Sequence, residues 1–300
     1  MERVFEINLP KDPSERPLAR RALSKIKNVL LPSPPDPDIR GWPKMPYPTA
    51  EIVYWRPHNG VNFGDELGRT IVELMLGRRG HTVFDSVHTP RGILSIGSIL
   101  HFANDGDVIW GSGVNGSVPV NDHKYRNIDV RAVRGPLTRQ FLKARGITVP
   151  EVYGDPALLT KRLTGSRFEP TEKHAVGIVP NMFDMALIKK NNLLAPFKNI
   201  HLVDPTGSWN SVVEKILECK YIISSSLHGL VLADTYGIPS KYVRLTDHEG
   251  LLKYEDYYEG TGRRLIFSRT IKEALDQEPT PPLTYDTGPL ESAFPYDVWS

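Results

Sequence analysis

One pattern recurs along most of this chain and limits its fold more than any other. A short apolar run is followed by a turn of small residues, and the turn opens a helical stretch. The pattern is clearest from Cys219 to Leu245, CKYIISSSLHGLVLADTYGIPSKYVRL. Lys220–Ser224 holds β-branched Ile222 and Ile223 and reads as a buried strand. Leu227, Leu230, Val231 and Ala233 recur at helical spacing. Gly237 stands where that helix stops, and Pro239 prevents it continuing. Ser240–Leu245 is the next strand. Ser224, Ser225, Ser226 and His228 occupy the turn. Parallel sheets bind ligands at such turns. A helix N-terminus presents N–H groups to an anion there, and one imidazole can move protons near neutral pH. Capping serines and a structural histidine are the plainer alternative.

The same alternation runs through the chain. Glu51–Trp55, Thr82–Phe84, Ile93–Ile96, Asp107–Trp110 and Asp129–Val133 read as strands. A Gly-rich turn after the first of them leads into a helix at Phe63-Gly64-Asp65-Glu66, whose acidic pair suits the positive end of the dipole. Arg134-Gly135 ends another strand, and Pro136 opens the next helix. His174–Val179 and Asn199–Val203 are further strands, Trp209–Glu218 is a helix, and Tyr254–Glu259 and Thr270–Asp276 are short helices. The expected fold is α/β, with two Rossmann-like doubly wound halves, 49–168 and 169–278, facing a cleft. Residues 1–48 form a basic arm and a strap with seven prolines between Pro32 and Pro48. The tail, 279–300, is expected to wrap the surface. Within the arm, 15–31 is a basic amphipathic helix candidate. It either docks on the protein's own body, the favoured reading, or lies on an anionic membrane.

Composition excludes several classes. The 300 residues carry a net charge of only +2, which does not argue for a nucleic-acid binder. The single cysteine, Cys219, excludes an internal disulfide and a cysteine-based zinc cluster. No apolar run approaches a membrane span, and the charge from Glu2 onward is unlike a secretory signal. A cytoplasmic protein is expected, at the inner membrane face if 15–31 contacts lipid. No GxGxxG with a following acid and no GxxxxGK[ST] is present. No His/Asp spacing suggests a metal, so none is expected.

Four motifs then line up: Asn62-Phe63-Gly64-Asp65-Glu66-Leu67; Arg134 with Pro136-Leu137-Thr138; Tyr153-Gly154-Asp155-Pro156-Ala157; and Ser225-Ser226-Leu227-His228-Gly229 with Gly237-Ile238-Pro239. In this order and spacing, over 50–245, the set resembles the polysaccharide pyruvyl transferase family, which includes bacterial exopolysaccharide ketal-forming enzymes. The resemblance implies a fold similar to GT-B glycosyltransferases. It implies phosphoenolpyruvate as donor substrate with no cofactor, and a sugar or lipid-linked oligosaccharide as acceptor. On that basis His228 is the expected general acid/base, with Arg134 and Asp65 beside it. Arg134, a fork suited to phosphate, binds the donor with Ser225, Ser226, Leu227 and Gly229. Asp65 meets the acceptor with His58, Asn59 and Asn62. Arg131 and Arg139 are weaker candidates, and Asp155 reads as a turn former. Some relatives carry Arg where this chain has Ser226, so a second cation comes from elsewhere or donor binding is weaker. The alternatives are a GT-B glycosyltransferase using a nucleotide sugar and a non-catalytic sugar-binding subunit. The acceptor sugar and oligomeric state are not specified by the sequence.

Overall fold

Two sheets of parallel strands carry the described residues, 45–57 and 61–300, in a computed structural model. These residues fall within one compact unit. The stretch 15–31, most of the Pro-rich strap, and His58 and Asn59 lie outside the described residues.

The first sheet sets β1 (Glu51–Val53), β2 (Gly92–Leu94), β3 (Val108–Trp110) and β4 (Asp129–Ala132) side by side in chain order. Ile93, Leu94, Val108, Ile109 and Trp110 are fully covered. Covered strands read as continuous apolar runs, which is why sequence located them. Thr82–Phe84 is the exception: it is a turn, not a strand. The Asp85 carboxylate accepts from the Thr82 amide and hydroxyl, at 3.2 and 2.7 Å. Local side-chain bonds of this kind compete with a sheet ladder.

Helix α1 (Phe63–Gly77) follows β1. Asn62 caps it, its side-chain oxygen accepting from Gly64 N at 3.1 Å. Its stripe of Phe63, Leu67, Ile71 and Met75 is buried, and each such side chain stabilises by about 1.5–3 kcal/mol. Helix α2 (Pro136–Ala144) starts on its proline after β4. A 3-10 turn, Pro156–Leu159, and α3 (Thr160–Thr164) complete this part.

The second sheet holds β5 (Val176–Val179), β6 (Ile200–Leu202), β7 (Ile222–Ser224), β8 (Ser240–Val243) and β9 (Phe267–Ser268), in the order β6-β5-β7-β8-β9. Helices α4 (Met182–Asn191), α5 (Trp209–Leu217) and α6 (Leu227–Tyr236) connect the first four of these strands. The chain steps outward from β5 to β6, then returns through β7 and proceeds the other way. A crevice for ligands opens at such a reversal, beyond the carboxyl ends of the strands. Asn181 and Ser224–Ser226 stand there. Gly237, at a left-handed φ of 72°, ends α6 as its position suggested.

Helix α7 (Leu252–Gly260) leaves the second sheet and packs on the turn after β4. A Cβ on Gly260 would lie 2.5 Å from the Arg134 carbonyl oxygen, and one on Gly135 would lie 1.8 Å from that of Asp256. Only glycine permits this approach. Helices α8 (Ile271–Asp276) and α9 (Gly288–Ser292) follow. The tail does more than wrap the surface. It buries Leu290, Phe294 and Trp299, Trp110 Nε1 donates to the Leu290 carbonyl at 2.8 Å, and the Tyr296 hydroxyl donates to the Met75 carbonyl at 2.8 Å. One hydrophobic cluster runs from Ile52 and Phe63 through Leu158 to Leu227, Leu230 and Trp299. Residues around both sheets therefore share one packed core, with the N-termini of α1 and α6 in contact. No helix among the described residues is long and apolar enough to cross a membrane.

Candidate active site

The turn between β7 and α6 is held from below. Ser224 Oγ donates to the Val179 carbonyl at 2.7 Å and accepts from Ser226 N at 3.0 Å. The amides of Ser225 and Ser226 also reach the Val179 carbonyl, at 3.1 and 3.3 Å. These two amides were expected to face an anion; they tie β7 to β5 instead. The open end of α6 comes one residue later. Leu227, His228 and Gly229 precede the first i→i−4 bond, from Leu230 N to Ser226 O, so their N–H groups carry the positive end of the helix.

His228 lies between the two halves. A Cβ on Gly64 would sit 1.9 Å from His228 Nδ1, so α1 rests directly on the ring. The Phe63 ring meets it edge-on at 6.2 Å. On the other side, His228 Nε2 is 3.8 Å from Asp155 Oδ2. Asp155 does form a turn, its Oδ1 accepting from Ala157 N at 2.9 Å. Its other oxygen and His228 Nε2 are both buried without a hydrogen-bond partner among the described residues. Orphaned buried polar atoms are destabilising, and two facing each other mark a place built for something besides stability.

Burial sets the protonation states here. It pushes Asp65 up to about 7, against the pull of the Lys253 ammonium. It pushes Asp155 up to about 6, against the Ala157 N–H and Arg134. It pushes His228 down to about 3, assisted by the positive charges of Lys253 and Arg134. Burial thus favours a neutral imidazole and draws both carboxyls up toward neutral pH. The direction of the His228 shift favours a base over an imidazolium acid.

Arg134 is 1 % exposed. Its Nε donates to Asp256 at 3.0 Å, and its terminal nitrogens donate to Ser98 Oγ at 2.6 Å and the Val114 carbonyl at 2.9 Å. Asp256, also buried, accepts from the Thr138 amide and hydroxyl at 2.9 and 2.6 Å. The guanidinium expected to stand open as a donor fork therefore joins α7 to the end of β4, and its charge reaches the site from behind. Arg131 pairs with Asp129 and Asp297, and Arg139 with Glu151.

Sequence reasoning did not single out Lys253. Lys253, in the first turn of α7, acts on both Asp65 and His228. It pairs with Glu249 at 2.8 Å. Glu249 also lies 2.8 Å from the Tyr254 hydroxyl and accepts from Asn181 Nδ2 at 3.3 Å. The Tyr254 hydroxyl is 2.6 Å from the Ser225 carbonyl oxygen, and Asn181 N donates to Ser225 Oγ at 3.1 Å. This network ties the end of β5 and the turn after β7 to α7. The only signal for it in the sequence was the i,i+4 spacing of Glu249 and Lys253, which is common on any helix. Of the expected acceptor residues, Asp65 joins the cluster and Asn62 is committed to capping α1.

A cavity of about 360 Å³ lies elsewhere, lined by residues such as Lys161, Asp234 and Tyr285, and none of the site residues line it. The fold also brings together His174, His201 and Glu218, whose ligand atoms all lie within 4.8 Å of one another. Their sequence spacing had suggested no metal-type cluster.

A family model described as polysaccharide pyruvyl transferase matches residues 62–243. The succinoglycan biosynthesis protein ExoV of Rhizobium meliloti (strain 1021) is 27% identical over 217 residues, 70% of this chain. The chain spans 64% of the length of that relative. The uncharacterized protein L143 of Acanthamoeba polyphaga mimivirus is 27% identical over 207 residues, 66% of this chain and 70% of L143. Among solved structures, the uncharacterized protein KP1_0663 from Klebsiella pneumoniae subsp. pneumoniae NTUH-K2044 aligns with a TM-score of 0.42 and 13% identity, over 84% of this chain and 98% of that one.

Proposed function

The chain belongs to the polysaccharide pyruvyl transferase family, and on that premise we propose that it moves a pyruvyl group from phosphoenolpyruvate to two hydroxyls of a sugar, in an exopolysaccharide or its lipid-linked precursor, forming a ketal. Protonation at C3 of the enol makes C2 electrophilic. One sugar hydroxyl adds to C2 and gives its proton to the base, inorganic phosphate leaves with that proton, and a neighbouring hydroxyl closes the ketal, its proton restoring the acid that protonated C3. The acceptor gains one pyruvic acid less one water.

The observation that carries this reading is the buried cluster of Asp65, Asp155 and His228, with orphaned atoms facing each other between the last two. Asp65 carries the proton for C3, since burial keeps its carboxyl half-protonated near neutral pH. The neutral imidazole of His228 takes the proton of the acceptor hydroxyl, with Asp155 orienting it. Donor binding favours this. Its phosphate and carboxylate offset the charges of Lys253 and Arg134, which raises the proton affinity of His228. The donor's anionic groups meet the first amides of α6 and the Lys253 ammonium. The halves then work as in GT-B glycosyltransferases, with donor on the second and acceptor on the first.

A nucleotide-sugar glycosyltransferase remains a second reading because of one residue. It calls for a carboxylate beyond a strand end of the second sheet, and Glu249 stands there, although Lys253, Tyr254 and Asn181 already engage it. The test is to incubate the full chain with phosphoenolpyruvate and candidate acceptors, and separately with UDP- and GDP-sugars. Acceptor-dependent phosphate release, with the ketal mass on the glycan, is the expected result. Glycosyl transfer with no ketal would replace the proposal by the second reading, and ligand binding without turnover would leave a non-catalytic sugar-binding subunit.

A further inference from the structure

We propose that His174, His201 and Glu218 form a binding site for one divalent transition metal of the zinc class, remote from His228 and independent of the proposed reaction. His174 precedes β5 and bridges to Cys219 at the start of the β7 segment. His201 lies on β6, an edge strand paired only with β5 within the sheet. Glu218 ends α5. The two imidazoles stack face to face, 4.4 Å apart and 3° from parallel. His174 Nε2 lies 4.0 Å from Glu218 Oε2. His201 Nε2 is buried without a hydrogen-bond partner among the described residues.

One ligand atom from each residue fits within a 4.8 Å span. Zinc bonds of about 2.0–2.2 Å place ligand atoms about 3.3 Å apart, so binding draws the set together and turns the stacked rings until both in-plane lone pairs meet the ion. Two imidazole nitrogens and one carboxylate oxygen suit zinc, copper or nickel, and disfavour magnesium and calcium. Lys173 bonds the other oxygen of Glu218, which orients the carboxylate. Lys215 also faces His201, while Lys220 is paired with Glu172 at 3.6 Å. A bound ion would fasten edge strand β6 to the corner where α5 ends and β7 begins. Edges need such protection.

The full chain, stripped by a chelator, is titrated with Co²⁺ followed by its visible ligand-field bands, and with Zn²⁺ by calorimetry. The proposal expects one equivalent of tightly held metal and a rise in thermal midpoint with Zn²⁺. It expects affinity to fall roughly tenfold or more in His201→Asn and in near-isosteric Glu218→Gln, the latter chosen to preserve the fold. No binding at micromolar metal would overturn it. So would binding, or a midpoint rise, that both variants retain.

Discussion

The second sheet pairs histidine with carboxylate at both of its ends, and the carboxylates at the two ends behave oppositely. At the carboxyl end, His228, Asp155 and Asp65 are withdrawn from water, and burial drives all three toward their neutral forms. At the amino end, His174 and Glu218 are part-exposed, and the Lys173 ammonium holds Glu218 below the usual carboxylate range. Residue type is the same, so the difference comes from solvent and from the nearest charge. On the proposals above, the dry end moves protons and the wet end holds a cation.

The comparison breaks first if the dry end does not depend on paired charge. Asp256→Ala strands the buried guanidinium of Arg134, and should destabilise the fold by about 3–5 kcal/mol in denaturant unfolding. A loss within about 1 kcal/mol would mean Arg134 finds water or another partner.

His228→Asn should lower kcat by roughly 10²–10⁴. It also sharpens the pH argument. A folded pKa of about 3 lies below the unfolded value near 6.5, so the wild type binds fewer protons than its unfolded chain in between. His228 therefore contributes stability above pH 6.5 that is lost as pH falls toward 3. The variant should lose less stability than the wild type over that window. Asp65 has the opposite sign: its raised pKa gives stability at low pH that fades from about 4 to about 7. Parallel thermal-midpoint curves for wild type and His228→Asn would mean the imidazole titrates normally.

Lys253→Met should weaken phosphoenolpyruvate binding about tenfold, the loss of one charge-assisted contact. It should also raise the Asp65 pKa further, because Lys253 lowers it, and so shift the corresponding limb of the pH–rate profile upward. An unchanged KM for the donor would leave the anion to α6 alone. The smallest effect belongs to the wet end. Glu218→Gln, without added metal, should change stability by no more than about 0.5 kcal/mol, as exposed pairs do. A larger loss would show that this end too depends on its charge.

Most of the strands were legible because fully covered strands are continuous apolar runs, and the helix limits at Pro136 and Gly237 because those residues allow little else. Thr82–Phe84 misled because an apolar pair, Val83-Phe84, sits inside a side-chain-locked turn. His228, Asp65 and Arg134 could be singled out by their place after strands. What Arg134 does could not, since its partner Asp256 is 122 residues away. Lys253 and Glu249 belong to the same long return of the chain, and their i,i+4 spacing alone does not announce it. Asp155 showed its turn role because that is local; its approach to His228 depends on how the halves pack.

The measurement that tests the account most directly is the nitrogen NMR spectrum of the His228 imidazole at pH 7, assigned by comparison with His228→Asn, with and without phosphoenolpyruvate. The account predicts a neutral ring in the free protein and a marked rise in its proton affinity when the donor is bound. An imidazolium in the free protein, or a ring indifferent to saturating donor, would contradict it.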